Sequence, residues 1–258
     1  MKNYIIACCH RVSGIGPQLF LRSLERMAGT DQVDVILIGD SAQQGSSLPV
    51  TWVPLRWVQG NPIMDRFHSM LGLKLNWDDR VILTDIRDVV FQSNPFRELF
   101  WSNPAERGRV HVFAEDCGTT LDKESSNSSW LRALNGNSLP GWCLGKSIIC
   151  AGVIAGEWRS VYGYLSRLCF QMLQRPAFFG LDQALHNMYV HNDIWAFVVH
   201  TNEHGPVSHL VLVKSPQYNP DGMVINASGG VPAIVHQYDR HPDLMARIEK
   251  RWGVICPS

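Results

Sequence analysis

Short apolar segments and amphipathic segments alternate along this chain. Apolar runs typical of buried strands lie at residues 4–9, 34–39, 51–57, 80–92, 110–114, 147–154, 195–200, 210–213 and 231–236. Apolar residues at helical spacing predict helices at residues 18–27, 64–75, 160–173, 181–191 and 242–252. Because strands and helices alternate, the pattern favours an α/β, Rossmann-like fold with a mainly parallel central sheet flanked by helices.

One polar segment interrupts this pattern. Residues 118–140 are rich in serine and asparagine, which is typical of a loop, and we predict a single helical turn at residues 130–134. The sequence contains no internal repeat, no low-complexity tract and no convincing linker. We therefore expect a single domain over residues 1–258.

The charge balance argues against a nucleic-acid partner. Lys+Arg and Asp+Glu both number 23, so the formal net charge is zero. A protein without a basic excess has no electrostatic footprint for nucleic acid. The hydrophobic content of 45% is that of an ordinary globular protein with a substantial core.

Cysteine usage and the apolar runs indicate a compartment. The seven cysteines are scattered, odd in number and without a CxxC pair, which argues against a disulfide framework and suits a reducing cytoplasm. The first apolar run is too short for a signal peptide, and no run reaches the ~18 residues of a spanning helix. We expect a cytoplasmic protein, with peripheral contact to the inner membrane face at residues 250–252 as an option.

The strongest candidate chemistry follows the strand at residues 80–92. Asp85 and Asp88 bracket Arg87 there, at the edge of the sheet where open α/β folds bind ligands. Two neighbouring carboxylates repel one another unless a cation lies between them, so the pair predicts a divalent metal. Other polar clusters follow further predicted strands and are expected at the same edge, namely His10-Arg11, Glu115-Asp116 and residues 236–239.

The spacing of the two aspartates leaves two possibilities open. Residues three apart on a regular strand face opposite sides. Either the backbone turns after Asp85 so that both carboxylates reach one ion, or Arg87 or a backbone amide holds one of them. In the second case Arg87 would itself neutralise phosphate charge.

Four segments together resemble one enzyme family. VILTDIRDVVFQSNPF at 81–96 resembles the metal-binding segment, usually Asp-x-Asp, of GT-A fold nucleotide-sugar glycosyltransferases, here with an Asp-x-x-Asp variant. ICAGVIAG at 149–156 is similar to their small-residue strand near the donor sugar and acceptor. GLDQALHN at 180–187 resembles their Asp-Gln helix start, and Val235-His236-Gln237 matches their late metal-binding histidine. In this order the likeness spans about residues 4–245.

The resemblance implies a reaction and a set of residues. It implies transfer of a sugar from a nucleotide-diphosphate sugar to a hydroxyl of a glycan or glycolipid, as in polysaccharide, lipopolysaccharide or capsule synthesis. Residues 1–115 would be the nucleotide-binding half and residues 116–258 the acceptor-binding half. The metal, Mn²⁺ or Mg²⁺, is expected on Asp85, Asp88 and His236. The donor is expected at Cys9, His10, Arg11, Arg66, Asp85, Arg87 and Gly152, and the catalytic candidates are Asp182, Glu115 and Asp116.

The same residues could instead have purely structural roles. The aspartates at 85 and 88 could be solvated residues paired with arginine, His236 a core histidine, and Asp182 a helix cap. The acidic pair at 115–116 could be loop charge, and Arg66 an exposed helix residue. Trp130 and Trp142 could stack on a sugar ring.

Two other functions also remain open. A sugar nucleotidyltransferase would share the sheet and the acidic site, although RVSGIGP at 11–17 is only a faint phosphate-binding loop. The third possibility is a non-catalytic protein that binds sugar nucleotides or glycans.

Overall fold

A central sheet with helices on both faces dominates the fold. A computed structural model describes residues 1–28, 33–39, 48–58, 60–98, 101–115, 118–192 and 197–253. The strands in these ranges are β1 (Asn3–Cys8), β2 (Val33–Ile38), β3 (Val50–Val53), β4 (Arg80–Thr84), β5 (Val89–Phe91), β6 (Val110–Ala114), β7 (Ile149–Glu157), β8 (Phe197–His200), β9 (Val207–His209), β10 (Gln217–Tyr218), β11 (Val224–Ile225) and β12 (Ile234–His236). The α-helices are α1 (Gly16–Ala28), α2 (Pro62–Met70), α3 (Ser125–Leu134), α4 (Trp158–Leu173), α5 (Leu181–His191) and α6 (Pro242–Trp252).

The central sheet has seven strands in the order β3-β2-β1-β4-β7-β6-β8. Parallel pairs join β3, β2, β1 and β4, and another joins β6 to β8. Strand β7 lies antiparallel between β4 and β6. The predicted α/β fold with a mainly parallel sheet is therefore confirmed. As a consequence, the ends of β4 and β6 meet the beginning of β7 at one edge of the sheet.

Each face of the sheet is covered by a separate apolar layer. Helices α2, α4 and α5 pack on one face through residues such as Phe67, Trp158 and Leu185. Helix α1 packs on the other face through Phe20 and Leu24. Burial of these apolar side chains is the main stabilising term of such layers. Strand β7, in the centre of the sheet, is buried along almost its whole length.

The predicted strand at residues 80–92 is two strands in two sheets. Strand β4 belongs to the central sheet, whereas β5 pairs with β12 in a three-stranded sheet of order β5-β12-β9. Residues 85–88 between them bend instead of continuing the strand. The expectation of one continuous strand is therefore wrong, because the chain leaves the central sheet at Asp85 to enter the smaller one.

Three other expectations about elements need correction. The polar segment at 118–140 contains a helix of 10 residues, α3, because Leu131 and Asn127 bury one side of it. The predicted strand at 210–213 is a turn, and the strand lies just before it at β9. The predicted helix at 64–75 ends at Met70. The predicted strand at 195–200 lies partly outside the described residues.

The cytoplasmic location stays a prediction, and two features of the described residues relate to it. Among the described residues, no helix combines the length and apolar character needed to cross a membrane. The described cysteines are all free thiols. Trp252 is buried against the core at the end of α6, so the predicted membrane contact there would have only Lys250 and Arg251 to rest on.

Candidate functional site

The bend after β4 brings Asp85 and Asp88 to the same side. The Asp85 amide donates to the Gly152 carbonyl at 2.9 Å, and the Gln237 amide donates to the Asp88 carbonyl at 2.7 Å. A Cβ on Gly16 would lie 1.9 Å from the Arg87 carbonyl oxygen, so the start of α1 presses directly on the bend. Three elements therefore fix the turn. The backbone does turn after Asp85, as the first of the two possibilities requires, and Arg87 also pairs with Asp88, as the second requires.

His236 completes the acidic pair. It ends β12 and pairs in register with Val89, the first residue after the bend. Its Nε2 lies 3.5 Å from Asp85 Oδ2 and 3.5 Å from Asp88 Oδ1. Burial alone would lower the pKa of His236, but Cys150 and the two aspartates outweigh it and raise the pKa well above its usual value. The imidazole therefore carries a proton between the two carboxylates.

Gly152 is required by this arrangement. A Cβ on this residue would lie 2.3 Å from His236 Cε1 and 2.9 Å from Asp85 Oδ2. Side-chain contacts this short do not occur, so any larger residue would displace Asp85 and His236. Gly152 thus permits the close packing of these two side chains, and its role at the donor site stays a prediction.

Two further side chains contact His236 from behind. His209 Nδ1 lies 2.9 Å from His236 Nδ1, and Cys150 Sγ lies 3.7 Å from it. His209 belongs to β9 and stands in register with His236 across the β9–β12 pair. Sequence reasoning missed both residues. The cross-strand register that joins them is not visible in any local spacing.

Arg66 forms ion pairs with Asp85, one of the metal candidates, and with Asp182, in the first turn of α5. Its guanidinium donates to Asp85 Oδ1 at 2.6 Å and to Asp182 Oδ2 at 3.0 Å. Burial alone would raise the pKa of Asp85, but Arg66 and His236 outweigh it and hold the pKa well below its usual value. Arg66 is therefore a partly buried bridge between two carboxylates, and its interpretation as an exposed helix residue is wrong.

Asp182 lies in the first turn of α5, which begins at Leu181. Gly180 is the N-cap in a left-handed conformation with φ 89°, and no side chain caps the helix. The interpretation of Asp182 as a cap is therefore wrong, because its carboxylate turns to Arg66 instead. A Cβ on Gly180 would lie 2.3 Å from the ring of Trp130, so α3 and α5 touch at this point.

These residues line one cavity of about 450 Å³. That volume suits a small ligand. Its charged walls come from the acidic site, α2, α5, the end of β6 and the start of α3, and comprise Arg66, Asp85, Arg87, Asp88, Glu115, Glu124, Asp182, His236 and Arg240. Trp130 and Phe179 supply aromatic surface, as the sequence suggested for the first of them. The residues from different sequence segments thus converge as expected for one edge of a parallel sheet.

Glu115 is the acid–base candidate with the clearest perturbation. It directly follows β6, is 6% exposed and lines the cavity. Burial raises the pKa of Glu115 to about 7. A carboxyl group poised near neutrality can accept or donate a proton at ordinary pH. Asp116, its predicted companion, lies outside the described residues.

The predicted nucleotide loop stands apart from the cavity. Cys9, His10 and Arg11 follow β1 at the same edge of the sheet, but none of them lines the cavity. Cys9 is buried with its sulfur 3.5 Å from the Ile38 carbonyl, and His10 packs edge-on against Trp57. The structure thus brings Arg66, Arg87 and Gly152 to the acidic site and does not bring these three residues there.

Arg87 remains half exposed beside the acidic site. It lies 3.2 Å from Asp88 Oδ2 and 3.6 Å from Asp239 Oδ2. An exposed guanidinium paired this loosely can exchange its partner for a phosphate at little cost. Its predicted place near the donor is compatible with this position.

Helix α5 also holds the beginning of β7 in place. Gln183 accepts from the Ala151 amide at 2.8 Å and donates to the Ile149 carbonyl at 2.9 Å. Asn187, one turn later, accepts from the Ile149 amide at 2.9 Å. The β4 pairing of β7 stops at Val153, and these amides replace it over the residues before that. The GLDQALHN segment therefore positions the strand that carries Gly152.

A larger cavity of about 560 Å³ adjoins this one. The two share Leu212, and the larger one is lined mostly by uncharged residues of the 202–227 region. Glu203 and Lys214 are its charged side chains. It lacks the paired carboxylates and the partly buried arginine, so the chemistry is concentrated in the smaller cavity. Trp142 lines neither and stacks on His191 instead.

The donor set fits a divalent cation. The ligand atoms of Asp85, Asp88 and His236 lie within 4.8 Å of one another. Two carboxylate oxygens and one imidazole nitrogen suit Mn²⁺, and an ion placed there would replace the proton that His236 now holds.

In the comparison with known proteins, no family model matches the chain and no curated protein matches it.

Proposed function

We propose that this protein is a GT-A-type glycosyltransferase that moves a sugar from a nucleotide-diphosphate donor to a hydroxyl of a glycan or glycolipid. The observation that carries the proposal is the meeting of Asp85, Asp88 and His236 at the wall of a ligand-sized cavity. Asp182 and Glu115 line the same cavity. Together they give a cation site beside groups able to bind a sugar and move a proton.

Asp85, Asp88 and His236 would hold Mn²⁺ or Mg²⁺. When bound, the ion supplies Lewis-acid stabilisation of the negative charge that develops on the departing nucleoside diphosphate. The strain-free bend after β4 keeps both carboxylates in place before any ligand arrives, because α1 and β7 hold its backbone. Such preorganisation avoids reorganisation during the reaction.

Two arginines beside the aspartates add positive charge for phosphate. Arg66 is fixed between Asp85 and Asp182, so it orients those carboxylates and offsets part of their negative charge, which would otherwise repel a phosphate. Arg87 is half exposed and free to turn toward a diphosphate. A guanidinium can bind phosphate oxygens in a bidentate manner.

Glu115 and Asp182 divide the work at the reacting sugar. Glu115, with its pKa near 7, accepts the proton of the acceptor hydroxyl. Asp182 is held by Arg66 and accepts hydrogen bonds from sugar hydroxyls. Trp130 offers an apolar ring face from α3 at the other side of the cavity.

The acceptor would approach through the neighbouring cavity. The two cavities meet at Leu212, and the larger one is rich in hydrogen-bonding groups such as Asn202, Ser208 and Asn226. A glycan is recognised by such uncharged polar groups more than by charge. The larger cavity is therefore the site at which acceptor specificity would be set.

A thermal-shift screen tests the donor class. The wild-type chain would be heated with UDP-, GDP- and dTDP-linked sugars, each with Mn²⁺ and with EDTA. We expect one nucleotide family to raise the unfolding midpoint in Mn²⁺ only, because a ligand of the native state stabilises it. The Asp88→Asn variant is the control and should show no such rise. The proposal fails if no nucleotide sugar stabilises the wild type with any divalent ion.

Turnover separates a transferase from a binding protein on the same scaffold. With the donor found by the screen, release of nucleoside diphosphate would be followed for the wild type and for Glu115→Gln. We expect Glu115→Gln to keep donor binding and to lose about 10²–10⁴-fold in turnover, the usual contribution of a general base. A wild type that binds the donor but releases no product with any glycan acceptor or water would indicate a binding protein.

A further inference from the structure

Two histidines meet on the central sheet away from the acidic cavity. His111 lies on β6 and His200 at the end of β8, and these strands pair in parallel with Phe113 opposite His200. Side chains two residues apart on a strand share a face, so His111 and His200 project from the same face. The His111 Nδ1 and His200 Nε2 atoms are 2.9 Å apart.

A carboxylate approaches the pair from a short 3₁₀ turn at Pro104–Glu106. Glu106 Oε2 lies 3.8 Å from His111 Nδ1. The other oxygen, Oε1, accepts from the Asn103 side-chain amide at 2.8 Å, which fixes the orientation of the carboxylate. Among the described residues, no donor forms a hydrogen bond with Glu106 Oε2, although this atom is buried. A buried carboxylate oxygen without a donor costs free energy unless something else binds it.

We propose that Glu106, His111 and His200 form a second metal site, for a Zn²⁺-class ion. Their ligand atoms all lie within 4.8 Å of one another. Two imidazole nitrogens with one carboxylate oxygen are a donor set that proteins use for Zn²⁺, with a fourth position left to water. Their chemistry differs from that of the oxygen-rich acidic site, so the two sites should prefer different metals.

The geometry needs only a small adjustment to accept the ion. Tetrahedral Zn²⁺ with bonds of roughly 2.0–2.1 Å places its ligand atoms about 3.3 Å apart. The observed separations of 2.9 Å and 3.8 Å lie on either side of that value. Stacking holds both rings, since His200 lies 5.2 Å from the rings of His111 and Phe113.

Access to the site is open from two sides. Glu106 lines both a cleft of about 220 Å³, which also contains His111, and a cleft of about 420 Å³, which also contains His200. Neither cleft shares a lining residue with the acidic cavity. The second metal site therefore lies apart from the proposed donor site, and its larger cleft shares Asn226 with the cavity proposed for the acceptor. Its ion would tie the 3₁₀ turn to β6 and β8.

A hydrogen bond between the two histidines is the competing explanation. It accounts for their 2.9 Å separation, because one ring can donate to the other. It does not account for Glu106, whose inward oxygen gains nothing from that bond. The metal site explains all three side chains at once.

Metal titration of the full chain tests this proposal. Chelator-treated His236→Gln protein, in which the acidic site and the adjacent Cys150–His209–His236 cluster each lose a ligand, would be titrated with Zn²⁺ by calorimetry and with Co²⁺ by visible absorption. We expect one Zn²⁺ per chain and Co²⁺ bands of a four- or five-coordinate site. Glu106→Gln is nearly isosteric and keeps an acceptor for Asn103, so it tests the ligand without disturbing the turn.

Variants of the three proposed ligands should bind Zn²⁺ more weakly, whereas a control variant in the same cleft should not. In the His236→Gln background, Glu106→Gln and His200→Gln should weaken Zn²⁺ binding at least about 10–100-fold, the loss seen even when only a supporting residue is removed. His204→Gln, a change in the same cleft but outside the trio, should leave binding unchanged. The proposal is overturned if His236→Gln protein, folded as judged by circular dichroism, binds no Zn²⁺, or if the added Glu106→Gln change leaves the affinity as high as in its parent.

Discussion

At the scale of single residues, Gly152 sets how closely the metal candidates can approach one another. Strand β7 runs directly beneath the acidic site, and His236 and Asp85 both occupy the space where a Cβ would lie. Gly156, on the same strand, is less crowded, since its Cβ would meet Val161 and the Arg109 carbonyl at 3.1 Å. Gly152→Ala and Gly156→Ala should therefore differ in their effect on the metal site.

Gly152→Ala should damage the metal site directly. We expect Mn²⁺ affinity to fall at least about tenfold, because the added methyl displaces His236 and Asp85, and stability to fall by about 1–3 kcal/mol from overpacking. Calorimetric titration with Mn²⁺ and urea unfolding measure the two effects. Gly156→Ala is the control, with a loss of stability and unchanged Mn²⁺ affinity. Wild-type affinity in Gly152→Ala would contradict the assigned geometry.

Glu115 should make stability depend on pH. Burial raises its pKa from 4.5 in the unfolded chain to about 7 in the folded protein. The native state therefore binds more protons between these values, and stability is lost as the pH rises from 4.5 to 7. At 1.36 kcal/mol per unit this amounts to at most about 3 kcal/mol.

Glu115→Gln removes that titration. In EDTA, we expect the variant to be more stable than the wild type above pH 7, by up to about 3 kcal/mol, and equally stable near pH 4.5. Urea unfolding at a series of pH values gives the comparison. Parallel stability curves for the two proteins would show that Glu115 is not buried as described.

Most of the site residues could be predicted from the sequence. Asp85 and Glu115 follow two strands of the central sheet that end at the same edge, as the sequence pattern predicted. Asp88 and His236 reach this edge through the smaller sheet. Cys150 and His209 could not be predicted as contacts of His236, because they reach it through pairing between distant strands. The sequence contains no local pattern for such long-range contacts.

At the scale of elements, α5 positions both Asp182, the candidate for contacting the sugar, and β7, the strand that carries Gly152. Its first turn presents Asp182 to Arg66, and Gln183 holds the beginning of β7. Its start is fixed by Gly180, whose left-handed φ of 89° and contact with Trp130 leave no room for a side chain. A substitution at Gly180 should therefore displace the start of α5 and, with it, Asp182 and the beginning of β7.

Gly180→Ala should loosen the joint between α3 and α5. We expect a loss of about 2–4 kcal/mol, since the left-handed conformation costs a non-glycine residue about 1 kcal/mol and the methyl overlaps the Trp130 ring. Urea unfolding monitored by tryptophan fluorescence measures it. Gly141→Ala, where no atom lies within 4 Å of the new methyl, should be nearly neutral. Equal stability of the two variants would contradict this packing.

The sequence predicted the order of elements better than their ends. The run VILTDIRDVVF contains apolar residues on both sides of the aspartates, so it gave no signal for the change of sheet after Thr84. Of helix α3 only the turn at residues 130–134 was predicted, because its serines and asparagines are weak helix formers. It forms because Glu124 accepts from the Ser126 and Asn127 amides at 3.0 and 2.7 Å and Leu131 is buried.

At the scale of the whole molecule, the acidic site collects side chains from both sheets and from two helices. Asp85 follows a central strand, His236 belongs to the smaller sheet, and Arg66 and Asp182 come from helices on one face. A ligand bound to all of them stabilises the native state as a unit, by about 2.7 kcal/mol at a hundred times its Kd. Metal and nucleotide should therefore raise the unfolding midpoint of the entire chain in a single transition.

The most direct test of the central claim is calorimetric titration of nucleoside diphosphates into the protein with Mn²⁺ and with EDTA. For the wild type, we expect one of UDP, GDP and dTDP to bind with a stoichiometry of one in Mn²⁺ and to lose nearly all affinity in EDTA. Asp88→Asn should bind it at least about tenfold more weakly in Mn²⁺, because the ion loses a ligand. Equal affinity in Mn²⁺ and EDTA, or no binding of any of the three, would contradict a metal-held diphosphate between Asp85, Asp88 and His236.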